Sequence, residues 1–164
     1  MRKYLFILFT LLCLTTYSQT FSVNELESLC RKNLDEFDTY VIKKNYVFVG
    51  SNEDENFDYR NYAFDENYSE NNASNWLDIT IFKNKIVKPK AGVRWSTLKI
   101  NEYISLKNQL IKSGYKFVKT EIENDYTFYI YKKVKYEAKI HISKTITADN
   151  IERNSYGIVI TLLE

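Results

Sequence analysis

The chain offers few residues that could carry out chemistry. It has a single histidine, His141, whereas a metal centre needs several ligands. No local motif places a serine or cysteine nucleophile beside His141. This residue occupies a polar position of an alternating stretch, which is typical of a solvated strand position. We therefore predict no catalytic residue, no metal site and no cofactor.

A cysteine and an acidic segment could in principle act as a nucleophile and a cation site, but structural roles explain both better. Cys30 lies on the apolar stripe of a predicted helix, where a thiol usually serves as a small core side chain. The segment NEDENFD, from Asn52 to Asp58, has enough oxygens for Ca²⁺ but lacks the order and the glycine of an EF-hand loop. A solvated acidic turn is the simpler interpretation. The chain has only four glycines, which excludes a glycine-rich phosphate loop.

Aromatic residues are the strongest remaining signal for binding. They make up 16% of the chain, with 14 tyrosines. Tyrosine and tryptophan are enriched in binding hot spots because they bury much area at a small cost in entropy. In the stretch YTFYIY we expect Phe128 and Ile130 to face the core, and the tyrosines between them to face outward. The alternative is that these rings pack under helices or pair across strands. The candidate partner-binding residues are Tyr129, Tyr131, Tyr59, Tyr62, Trp76 and Trp95.

Residues 1–18 have the pattern of a secretory signal peptide. A positive MRK end precedes the apolar run YLFILFTLLCL, and the small residues Thr16 and Ser18 precede a cleavage site before Gln19. The apolar run is shorter than the roughly 20 residues that span a bilayer. We expect a secreted or periplasmic protein with no membrane insertion after signal removal. An uncleaved anchor is the alternative.

Charge is divided unevenly along the chain. Residues 19–82 carry 5 basic and 13 acidic side chains, and residues 83–164 carry 16 basic and 8 acidic ones. Opposite charge on the two halves favours their packing within one fold, and a surface that steers a charged partner is the alternative. The nearly neutral total and the predicted export disfavour nucleic acid as a partner.

Hydrophobic periodicity predicts two helices. The first runs over residues 22–44, because Ser22 and Glu25 have the spacing of a capping box and apolar residues follow at helical intervals. The second runs from about Asn101 to Ser113 and ends at Gly114.

Strands are predicted after each helix. The first helix is followed by YVFVG, FDYRNYAF and WLDITIF, and the second by YKFVKTEI, YTFYIY, VKYEAKIHIS and YGIVITLL. Residues 83–95 contain the only proline, and we predict a basic connector with room for an edge strand.

A shift of 69 positions aligns the two halves. YVIKKNYVFV, from Tyr40, matches QLIKSGYKFV, from Gln109, and Asn45 falls on Gly114. Asparagine and glycine best tolerate a left-handed helix end. A period that continues into the next strands indicates tandem repeats. We predict an α+β fold of two αβββ-like units, residues 19–95 with the basic connector and residues 96–164, with helices on one face of an antiparallel sheet.

This layout resembles that of secreted β-lactamase-inhibitor proteins, which pair two helix-plus-sheet repeats and bind their target on an aromatic-rich concave sheet. The resemblance is one of architecture, and it implies a protein partner on the uncovered sheet face. The sequence thus favours a non-catalytic protein-binding module of the inhibitor or immunity type. The alternatives are a small extracytoplasmic enzyme with a carboxylate site and a structural component of the cell envelope.

Overall fold

The first helix begins where its capping box predicts. A computed structural model describes residues 20–64, 73–83, 90–123, 126–146 and 150–163. Helix α1 spans Val23–Leu29, and the Ser22 side chain accepts a hydrogen bond from the Glu25 backbone N–H. The Glu25 carboxylate accepts one from the Ser22 N–H in return. The signal-peptide prediction for residues 1–18 lies outside the described residues.

The prediction of one continuous helix over residues 22–44 is wrong, because the chain breaks after α1. Helix α2 spans Leu34–Lys43 and has its own capping box. Asn33 accepts a hydrogen bond from the Glu36 N–H at 2.9 Å, and Glu36 accepts one from the Asn33 N–H at 3.2 Å. A short amide side chain stabilises a helix start better than a helix interior, so Asn33 begins a second helix.

The described strands form a single antiparallel sheet, which confirms the mixed α+β class. The sheet has eight strands in the order β1-β2-β3-β4-β8-β7-β6-β5. Helix α3, Ile100–Lys112, lies between β4 and β5 along the chain. The strands are β1 Val47–Glu53, β2 Phe57–Phe64, β3 Asn75–Phe82, β4 Ala91–Thr97, β5 Lys116–Glu123, β6 Tyr126–Lys133, β7 Tyr136–Ile146 and β8 Glu152–Leu162.

Strand β4 departs from the prediction for residues 83–95. The segment was expected to be a connector with room for an edge strand, but β4 pairs with β3 on one side and β8 on the other. Its inward positions Ala91, Val93 and Trp95 are buried, which a central strand requires. The β4–β8 pair therefore joins the two halves of the chain into one sheet.

The three helices of the described residues pack on the same side of the sheet, which we call the helix face. Burial of apolar area there provides most of the stabilisation, at about 25 cal/mol per Å². The strand residues of this core that are 0% exposed are Tyr62, Leu77, Ile79, Val93, Trp95, Ala138, Ile140, Ile158 and Ile160.

Polar contacts fix the helices on this face. Glu102 of α3 accepts a hydrogen bond from the Thr97 hydroxyl of β4 at 2.9 Å. Glu27 of α1 lies 2.9 Å from the Lys133 ammonium of β6. Among the described residues, none of the helices is both long enough and apolar enough to cross a lipid bilayer.

Positions 69 residues apart have matching local geometry at the two helix–strand junctions. Asn45 and Gly114 both adopt positive φ, 63° and 91°. The register shifts between Phe48 and Gly50 in β1 and between Phe117 and Lys119 in β5. One aromatic contact also occurs in both halves. The rings of Phe48 and Tyr62, and those of Phe117 and Tyr131, form T-shaped pairs with centroids 5.6 Å apart.

Candidate functional site

The side of the sheet opposite the helices carries a continuous set of aligned side chains, and we call it the open face. Strand pairing brings its residues into rows that cross both halves. One row is Tyr59, Thr80, Gly92 and Thr161. The next is Asn61, Asp78, Arg94, Val159 and Lys139. A third is Trp76, Ser96, Gly157, His141 and Phe128.

A recess of about 250 Å³ lies on the open face where β2, β3, β4 and β8 run side by side. Tyr59 and Phe82 contribute aromatic walls, and Gly92 lies between Thr80 and Thr161. A Cβ at Gly92 would have only the Thr161 hydroxyl nearby, at 3.7 Å. The bare backbone at Gly92 therefore forms an accessible part of the recess.

A hydrogen-bonded trio forms the polar end of the recess. The buried Asp78 accepts hydrogen bonds from the Tyr59 hydroxyl, at 2.7 Å, and from Arg94 Nε. Burial opposes the charge on Arg94, but the charge and hydrogen bond of Asp78 outweigh it and raise the pKa of Arg94. Burial, with the hydrogen bond to Asp78, raises the pKa of Tyr59. The trio thus consists of the neutral phenol of Tyr59 beside the ion pair of Asp78 and Arg94.

His141 of β7 lies on the open face with its ring against Gly157 of β8. Its ring centroid is 5.4 Å from that of Phe128. Its Nδ1 is buried and makes no hydrogen bond to any described residue. Burial and then the charge of Arg94 lower the pKa of His141. We expected a solvated strand residue here, but the ring is partly buried and its neutral form is favoured.

Two acidic side chains near β5 are paired with lysines. Lys119 lies 2.5 Å from Glu121, and Lys132 lies 3.4 Å from Glu137. Lys139 is 3.9 Å from the other oxygen of Glu121. These pairs are solvated and contribute little stability, so their main effect is to balance charge across this part of the open face.

Two of the six predicted partner-binding residues lie on the open face. Tyr59 lines the recess, and Trp76 is half-buried in the row of Gly157 and His141. Both alternate with the buried positions of their strands that pack against the helices, Tyr62 in β2 and Leu77 in β3.

The other four predicted residues lie on the helix face. Tyr62 donates a hydrogen bond to Asp38 of α2, and the Trp95 indole donates one to the Tyr46 hydroxyl at 3.2 Å. Tyr131 is buried, and the ring of Tyr129, although 39% exposed, lies under the Lys107 ammonium of α3. Tyr62, Trp95 and Tyr131 pack beneath the helices, which is the alternative that the sequence left open, whereas Tyr129 shares their face but stays exposed.

The orientation of strand β6 is opposite to the expected one, although Ile130 is buried as expected, at 2% exposed. Tyr129 and Tyr131 face the helices, while Phe128 and Ile130 lie on the open face beside His141 and Lys139. Both faces of this strand are apolar, so alternation shows that two faces exist but not which one the helices cover.

Sequence reasoning missed the residues at the polar end of the recess. Asp78 and Arg94 sit on strands predicted only as an alternating segment and a connector. A glycine within a strand is a usable signal, since it often marks a close approach to the backbone, and Gly92 is such a residue. Pairing of Asp78 with Arg94 depends on the β3–β4 register, which composition does not reveal.

Cys30 is part of the core, as its helical position predicts. It is 2% exposed, and its thiol donates a hydrogen bond to the Ile160 carbonyl at 3.2 Å. Burial raises its pKa to about 12, so the nucleophilic thiolate is strongly disfavoured.

The described residues contain no group of three histidine, cysteine, aspartate or glutamate side chains placed to hold a metal ion. Comparison of the chain with protein-family models, curated proteins and solved structures finds no match. The open face and its recess are therefore the observations from which a function has to be argued.

Proposed function

We propose that this chain is an exported, non-catalytic protein-binding module of the inhibitor or immunity type, and that it binds its partner through the open face. The observation that carries the proposal is a recess with aromatic walls on the sheet face opposite the helices of the described residues. Interfaces concentrate their binding energy in such aromatic pockets.

Two features of the open face support binding over catalysis. Both oxygens of Asp78 already accept hydrogen bonds, and Glu121 and Glu137 are each paired with a lysine. A general base works best where no neighbouring cation already holds its carboxylate. These carboxylates are instead held in closed pairs, as expected for a surface that presents a fixed pattern to a partner.

We also propose that residues 19–95 and 96–164 are two copies of one helix-plus-sheet unit. Two observations support this proposal. Asn45 and Gly114 both adopt positive φ, and the strand register shifts at matching positions in β1 and β5. The described residues of each half contribute four strands, one more than the αβββ pattern, and the halves meet at β4 and β8. A partner on the open face would then contact both copies.

Export is the further part of the proposal, and it rests on the signal-peptide pattern of residues 1–18. N-terminal sequencing of the protein recovered from the periplasm or medium tests it. We expect the first residue to be Gln19. A chain that stays in the cytoplasm with its N-terminus intact would contradict export.

The binding proposal is tested by crosslinking the chain in its own envelope and medium fractions. We expect one partner, captured at fixed stoichiometry and lost in Trp76→Ala, which removes a ring from the open face. Ile104→Ala is the matched control, since it removes a 46% exposed side chain from α3 on the other side. Equal capture by both variants would contradict the proposed face, provided that circular dichroism shows both to be folded.

A further inference from the structure

We propose that the recess on the open face receives one aromatic side chain of the protein partner, a tyrosine or tryptophan whose O–H or N–H reaches Asp78. This inference rests on the proposed function and names the chemistry of the group that the open face recognises. Four observations lead to it: the size of the recess, its floor, its walls and its neutral polar end.

The size of the recess fits one side chain better than a whole small molecule. Pockets that hold cofactors and drug-sized ligands range from roughly 300 to 1,000 Å³. The recess measures about 250 Å³ and is open on one side. Single aromatic side chains that fill pockets of this kind are the usual anchors of protein interfaces.

The floor and walls of the recess suit a flat ring. Gly92 presents bare backbone, with the Thr161 hydroxyl 3.7 Å from where its Cβ would be. Tyr59 and Phe82 stand at the sides, and aromatic rings prefer offset or edge-to-face contacts with a third ring at such positions. A branched aliphatic side chain would gain less from these walls.

The polar end favours a neutral aromatic group over a charged one. Asp78 and Arg94 form an ion pair, so an incoming carboxylate would meet Asp78 and an incoming ammonium would meet Arg94. The Arg94 side chain is 48% exposed, which leaves its guanidinium available to a ring face. A carboxylate has about four lone-pair sites and Asp78 uses two, so it can still accept a hydrogen bond from a phenol or an indole.

The test uses small molecules that reproduce the side chains. p-Cresol stands for tyrosine and 3-methylindole for tryptophan, while 3-methylbutan-1-ol has a hydroxyl but no ring. Each is titrated into the folded chain and followed by the NMR signals of the Gly92 and Thr161 amides and of Arg94 Nε–H. We expect both aromatic probes to bind on the order of fivefold more tightly than the alcohol, as one ring contact of about 1 kcal/mol requires.

A matched pair of variants locates the binding. Gly92→Val fills the recess and should abolish the shifts, whereas Gly50→Val adds the same side chain on the open face of β1, where a Cβ has no neighbour within 4 Å, and should leave them unchanged. Gly92→Ala replaces Gly92→Val if the latter is unfolded. Probe binding that survives Gly92 substitution, or equal binding of the aliphatic alcohol, would overturn the inference.

The outcomes separate this inference from the proposed function. If Trp76→Ala abolishes capture of the partner but Gly92→Val does not, the open face binds and the recess is not its anchor. If Trp76→Ala leaves capture unchanged, the proposed function itself fails. Loss of capture in both variants, together with saturable binding of p-cresol, supports the proposed function and the recess as its anchor.

Discussion

The imidazole of His141 occupies the space that a side chain at Gly157 would need. A Cβ on Gly157 would lie 2.3 Å from His141 Cε1 and 2.7 Å from Nε2. The two residues face each other across β7 and β8 in the middle of the open face. Absence of a side chain at Gly157 thus lets the only histidine pack against the backbone of the adjacent strand.

Replacing Gly157 with alanine should therefore displace the ring. We expect Gly157→Ala to lower the free energy of unfolding by about 1–3 kcal/mol, the usual cost of overpacking, as measured by urea denaturation. In a His141→Ala background the added Cβ has room, so the same substitution should cost much less. Equal costs in both backgrounds would show that His141 is not what excludes a side chain at position 157.

The pH dependence of stability should also report on His141. Burial and then the charge of Arg94 lower its pKa in the folded state below the ordinary 6.5. Below pH 6.5 the unfolded chain binds the proton more readily. The stabilisation is therefore complete above pH 6.5 and is lost as pH falls toward and through the folded pKa.

The chain has one histidine, so NMR follows this titration without assignment ambiguity. We expect an imidazole pKa below 6.5 and a fall in unfolding free energy between pH 7.5 and pH 5.5. His141→Gln should remove that part of the fall, while carboxylates titrate equally in both proteins. A measured pKa above 6.5 would contradict this account.

The fold was predictable where periodicity was unambiguous. The alternating VKYEAKIHIS segment forms β7 from Tyr136 onward, with Val134 and Lys135 in the turn before it, and the capping box at Ser22 starts α1. The break before Asn33 was not predicted, because the apolar positions continue at helical spacing through it. Strand β4 was predicted only as a possible edge strand, because glycine and proline are typical of loops and sheet edges and not of central strands.

The candidate site was only partly predictable, for a different reason. Tyr59 and Trp76 lie on the open face, yet Tyr129 and Tyr131 lie on the helix face. The sequence of β6 shows that both of its faces are apolar. Only the packing of α3 decides which face is covered. The Asp78–Arg94 pair depends on register between strands that sequence does not align.

Glu25 should make acid stability depend on the junction of α1 and α2. Its carboxylate accepts hydrogen bonds from Ser22 and from the Tyr40 hydroxyl at 2.7 Å, and it pairs with Lys44 at 2.7 Å. Burial opposes its charge, but these contacts outweigh burial and lower the pKa of Glu25 from 4.5 to about 2. The folded state gains stability above pH 4.5 and loses it as pH falls to about 2.

We expect Glu25→Gln to cost about 1–2 kcal/mol at pH 7, less than the full shift implies because the group is partly solvated. The difference from the parent chain should shrink at pH 3 in urea denaturation. Glu36→Gln is the matched control, since it alters the exposed capping box of α2 without a lysine partner at Glu36. Equal losses in the two variants at pH 7 would show that the Lys44 and Tyr40 contacts add nothing.

The helix ends at Asn45 and Gly114 provide a test of the proposed duplication. Both residues adopt positive φ, and Tyr46 and Tyr115 each donate a backbone hydrogen bond at 3.3 Å to the residue five positions earlier. A Cβ at Gly114 would touch nothing within 4 Å, so substitution there costs backbone strain alone.

We expect Gly114→Ala to cost about 1–2 kcal/mol and Gly114→Asn clearly less, since asparagine tolerates this conformation. In the other half, Asn45→Ala should cost a similar amount and Asn45→Gly almost nothing, as measured by thermal and urea unfolding. If the two sites rank alanine, asparagine and glycine differently, the two helix ends do not share one conformational requirement, and the case for two copies of one unit loses its main structural support.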